Sequence, residues 1–133
     1  MQSRLRYVDY VKALVFSEQY SFGERLESVL PLEPGIYRIF ENGSDWSCSL
    51  LVGRTRTATD ELRYRVYQNQ YIGNQKGNIK AQLVKSGRFK DQDEAKKYLE
   101  EKCKVQFIII EDENERKWAE HFILSILQPE FMD

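Results

Sequence analysis

The chain has 133 residues, 41% hydrophobic and 31% charged, with a formal net charge of −1; that is one domain's worth of chain with a globular rather than a disordered composition. No apolar run reaches the roughly 18 residues of a membrane span, and Met1-Gln2-Ser3-Arg4 leads into no apolar stretch of the kind a secretory leader needs. One histidine, His121, and two unclustered cysteines, Cys48 and Cys103, argue against a zinc site, so the expected setting is the cytoplasm with both thiols free.

Leu5, Val8, Val11, Leu14 and Val15 recur at near-helical spacing and predict a helix over 3–17. A second short helix is expected over 21–30, with Ser21 as N-cap and Glu24 three residues on, the pattern of a capping box. Pro31 and Pro34 close this N-terminal unit. Gly35-Ile36-Tyr37-Arg38-Ile39-Phe40 is β-branched and aromatic and precedes the turn signal Asn42-Gly43, so it reads as a strand, with 48–53 as its hairpin partner. Helices are expected over 59–69, over 76–86 with Gly87 just past the end, and over 92–102 with Asp91 as cap. Val105 to Ile110 is a continuous apolar run and reads as a buried strand. A last helix over 113–127 stops before Pro129. The expectation is an α+β fold: a three-stranded antiparallel sheet flanked by helices, with residues 1–33 as an N-terminal helical extension and 34–133 as the main domain.

Charge is unevenly spread. Residues 54–90 hold nine Lys/Arg against two Asp/Glu, whereas 1–53 hold five against seven and 91–133 hold six against twelve. One basic segment between two acidic ones is able to form a phosphate-binding face without a high overall pI; the same lysines also read as an ordinary solvated surface.

Four pieces occur in order. Pro34-Gly35-Ile36-Tyr37 opens the first strand, and Leu51-Val52-Gly53-Arg54-Thr55 ends the second. Leu62-Arg63-Tyr64-Arg65-Val66 opens the next helix. Glu120 lies nine residues before Pro129, which leads into Pro129-Glu130-Phe131. Over residues 34–132 this set resembles the GIY-YIG nuclease domain. Tyr71-Ile72-Gly73 also spells the second motif, but on helical or loop sequence, so Leu51-Val52-Gly53 is the better match.

The resemblance implies a Mg²⁺- or Mn²⁺-dependent endonuclease acting on DNA, most simply duplex. Glu120 would be the metal ligand, Arg65 the clamp on the scissile phosphate with Arg63 as its competitor, and Tyr37 the group that activates water. Gly35 and Gly53 would be the motif glycines, and Arg54, Thr55, Arg56, Arg63, Lys76 and Lys80 would meet the DNA. Each group suits its part: a guanidinium donates two parallel bonds to phosphate, Mg²⁺ needs only one or two carboxylates, and a tyrosine acts as a base only where its surroundings favour the phenolate. On the residues alone, Glu120 is also one more acid in an acidic run, Arg63 and Arg65 are ordinary helix charges, and Tyr37 is a sheet tyrosine. Three positions depart from the pattern: Leu51 replaces the second tyrosine, Gln70 stands where some members have histidine, and Met132 stands where asparagine often closes the motif. Those departures favour an alternative, a catalytically impaired module that binds DNA or a protein. An unrelated α+β interaction domain is the third reading. Oligomeric state stays open.

Overall fold

A computed structural model describes residues 2–57 and 59–133. In chain order the elements are α1 (Gln2–Val15), β1 (Tyr20–Ser21), α2 (Leu26–Val29), β2 (Gly35–Glu41), β3 (Leu51–Arg54), a π-helix (Arg63–Ile72), α3 (Ile79–Lys85), α4 (Gln92–Lys102), β4 (Cys103–Ile109), α5 (Glu113–Leu127) and β5 (Phe131–Met132). No described helix is long and apolar enough to cross a membrane.

The α+β class is observed, but the sheet is larger than the expected three antiparallel strands. It has five, in the order β1-β4-β2-β3-β5, and β5 runs parallel to β3. The two extra strands are two-residue edge pieces, too short to give an alternating pattern in sequence. One of them corrects the second helix: Tyr20 pairs with Val105 and Ser21 with Lys104. Ser21 is therefore strand, not cap, and only Leu26–Val29 is helical. The N-terminal segment is thus built into the fold. It supplies an edge strand, and α1 packs on α5 and β4. The Leu5 side chain lies outside the described residues.

Strand pleating divides the interior in two, because successive side chains point to opposite faces. Tyr37, Ile39, Leu51 and Val105 face the side covered by α2, the π-helix, α3 and α4. Ile36, Val52 and Ile108 face α1 and α5. The result is three layers, with the sheet in the middle. The β2–β3 hairpin is antiparallel, with Tyr37 directly opposite Gly53 and Ile39 opposite Leu51. Tyr71-Ile72-Gly73 lies on the π-helix and at its end, not on a strand.

The Asp91 cap read from sequence is found, and α3 has a cap that was not read. Asp91 accepts from the Glu94 N–H and starts α4. Asn78 accepts from the Ala81 N–H and starts α3; its amide also donates to the Asn69 and Gly73 carbonyls, which ties α3 to the end of the π-helix.

Candidate functional site

Tyr37 is fully buried on β2, and its hydroxyl sits in a closed polar network. The chemistry fixes the direction of each bond. The Ile79 backbone N–H can only donate, and it reaches Gln70 Oε1 at 2.6 Å. Gln70 must therefore point its NH₂ the other way. Nε2 donates to Tyr37 Oη at 2.8 Å and to Asp133 Oδ1 at 3.1 Å. Tyr37 in turn donates to Asp133 Oδ2 at 2.8 Å. Burial pushes the Tyr37 phenol well above its usual range, and the charge and hydrogen bond of Asp133 push it further; the Gln70 hydrogen bond and the Arg65 charge act the other way. As it stands the tyrosine is a donor, not a base.

Gly53 makes this packing possible. A Cβ there would lie 2.2 Å from Asp133 Oδ2 and 2.6 Å from Tyr37 Oη. At Gly35 a Cβ would lie 2.1 Å from the Ile108 carbonyl oxygen on the neighbouring strand. Both motif glycines are therefore required for close approach, one against the tyrosine network and one against β4.

Arg65 stands on the π-helix, on the Tyr37 side of the sheet. It grips Asp60 with Nε at 3.1 Å and Nη2 at 2.7 Å, and is close enough to Tyr37 and Asp133 to feel both. Its competitor Arg63 is spent elsewhere: Nε donates to the Leu30 carbonyl and anchors the end of α2.

Glu120 is on α5, against the opposite face. Its Oε1 accepts from Arg54 Nε at 2.8 Å, and both side chains are largely enclosed. Arg54 shares the parity of Val52, so it points away from Tyr37. The expected convergence of Tyr37, Arg65 and Glu120 is corrected accordingly. Tyr37 and Arg65 lie together, while Glu120 belongs to the other layer and shares no described hydrogen bond with either. As a metal site Glu120 offers one carboxylate, already neutralised by a guanidinium. No group of three His, Cys, Asp or Glu able to hold a metal occurs among the described residues.

The expected basic face is thinner than the sequence suggested. Lys80 is 2% exposed, with Nζ donating to Asn74 Oδ1, and burial followed by nearby Lys96 lowers its pKa. It cannot meet a phosphate. Thr55 is buried as well: its Oγ1 accepts from the Gly35 N–H and its carbonyl from Arg116. Arg56 and Lys76 are exposed. A groove of about 530 Å³ beside β5 is lined by Lys76, Lys85, Gln82 and Phe131, and its only charged residues are the two lysines.

Two members of the Tyr37 network were not found from sequence. Asp133 was passed over because Met132 holds the position counted from Pro129, yet Asp133 is the residue that reaches Tyr37. Gln70 was noted only as a residue unable to shuttle protons, whereas it fixes the tyrosine. Against protein-family models, curated proteins and solved structures, the chain matches nothing.

Proposed function

We propose that this chain binds the phosphodiester backbone of DNA on a GIY-YIG-like frame. The observation that carries the reading is the meeting of Tyr37, Gln70 and Arg65 over Gly53. Tyr37 and Gln70 hold the Asp133 carboxylate with Arg65 close enough to feel its charge, Arg56 reaches the Asp133 carbonyl, and Lys76 and Lys85 line the groove beside β5. Those are the groups phosphate oxygens require: neutral donors for geometry and guanidinium or ammonium for charge. The binding reading is preferred to hydrolysis on a specific ground. Tyr37 is enclosed and holds its proton, and Glu120 is tied to Arg54 on the other side of the sheet.

The second reading is a metal-dependent DNA endonuclease. It is favoured by the order of the motifs on the elements: a GIY strand antiparallel to an LVG strand, then an arginine on the next helix. Incubation of the purified chain with supercoiled plasmid and Mg²⁺ or Mn²⁺ separates the two. The binding reading expects a shifted but uncut plasmid, equally for the wild type and for Glu120→Gln. Nicking by the wild type that Glu120→Gln abolishes would establish the endonuclease instead.

A further inference from the structure

The Asp133 carboxylate is held as a bound oxyanion would be. Oδ2 accepts from the Tyr37 hydroxyl at 2.8 Å and Oδ1 from Gln70 Nε2 at 3.1 Å. The Arg65 guanidinium lies near enough to interact with its charge. Arg56 Nη2 reaches the Asp133 backbone carbonyl at 3.4 Å. On the floor, the missing Cβ of Gly53 leaves the room in which Oδ2 sits. None of these donors belongs to the segment that carries Asp133: they come from β2, the π-helix and the loop after β3. The segment itself is an edge piece. β5 has only two residues, paired on one side with Leu51 and Val52, and Gln82 Nε2 caps the Met132 carbonyl from α3.

A carboxylate and a phosphodiester share the feature these donors read, two oxygens spread over one negative charge. We propose that Asp133 occupies a phosphate subsite formed by Tyr37, Gln70 and Arg65, and that a backbone phosphate of the nucleic acid binds there by displacing it. The inference rests on the DNA-binding reading and sharpens it. It names the atoms that take the phosphate, and it makes the last strand a plug whose release exposes Tyr37. Occupation by the plug lowers apparent affinity by the fraction of molecules in which the site is free.

The test uses the full chain with inorganic phosphate, followed by backbone amide NMR shifts, alongside a short DNA duplex. Asp133→Ala is expected to bind phosphate about tenfold tighter than the wild type or better, with shifts at Gly53, Gln70 and Ile79. Adding Gln70→Ala to that variant should abolish the gain. Asp133→Asn keeps the side-chain shape and removes the charge, so it should fall between the two and guards against a folding defect in the alanine variant. Equal phosphate affinity in wild type, Asp133→Ala and Asp133→Asn would overturn the plug. Duplex binding by the wild type in that same case would leave the DNA reading standing; gained phosphate binding without any duplex binding would keep the subsite and remove the DNA reading.

Discussion

Arg38 is nearly completely buried with no carboxylate beside it, an arrangement that ordinarily costs stability unless every donor is used. Here they are used: Nε donates to Ser49 Oγ, Nη1 to Gln106 Oε1, and Nη2 to the Trp46 and Cys48 carbonyls. Burial still brings its pKa down to about 10. Its work is to hold the 46–49 loop against β2, so the second strand of the hairpin enters in the register that sets Gly53 opposite Tyr37. Tyr37 itself makes a measurable claim. Its phenol is raised by burial and by Asp133, that of Tyr71 by burial and Glu100, and that of Tyr98 by burial and Glu41. An unfolded tyrosine ionises near 10. A folded pKa raised above that value gives stability that is complete below pH ~10 and is lost as pH rises towards the folded values. Tyr10 and Tyr20 are raised more mildly, so ultraviolet titration should show three of the eight tyrosines still protonated after the other five have ionised, appearing only as the fold melts in strong alkali. All eight titrating together while near-UV dichroism remains native would refute the closed network.

At the scale of elements, the strands and capped helices were legible because each is written locally. β2 has the composition of a strand, α4 begins at an Asp91 cap, and α5 spans 113–127 as its periodicity and Pro129 imply. What was not legible is tertiary in origin. The π-helix was read as an α-helix over 59–69. Its buried residues are Val66, Gln70 and Tyr71, and one of the three is an amide whose side-chain partners, Tyr37 and Asp133, lie far along the chain. Hydrophobic spacing carries no sign of that. The two short edge strands exist only through their neighbours. The turn into β5 is similar: α5 ends at Gln128 with φ 43°, a left-handed conformation costly for a residue with a side chain. Gln128→Gly should raise stability by about 1 kcal/mol, read as a higher urea midpoint at unchanged slope. A lower midpoint would mean that the Gln128 amide contact to the Ser125 carbonyl outweighs the backbone strain.

For the whole molecule, the candidate site was half legible. Tyr37, Gly53 and Arg65 ride on adjacent strands and the helix that follows, and the fold sets them on one side of the sheet. Glu120 fell on the other layer, because a spacing along α5 says nothing of which face of the sheet the helix covers. Lys80 vanished into the interior, since a lysine buried by its neighbours looks in sequence like any other. Of the basic residues in 54–90, Lys80 is out of reach, whereas Arg56, Lys76, Lys85, Arg88 and Lys90 are exposed and Arg65 is half-buried beside Tyr37. That contrast defines the most direct measurement: fluorescence anisotropy of a short labelled duplex titrated with the chain over a series of salt concentrations. Affinity should fall steeply with salt, with a log–log slope of about 0.9 per phosphate contacted; Arg65→Ala should weaken binding and flatten that slope, and Lys80→Met should leave both unchanged. A binding constant that hardly moves with salt, or one that Lys80→Met reduces while Arg65→Ala does not, would contradict phosphate recognition at this site.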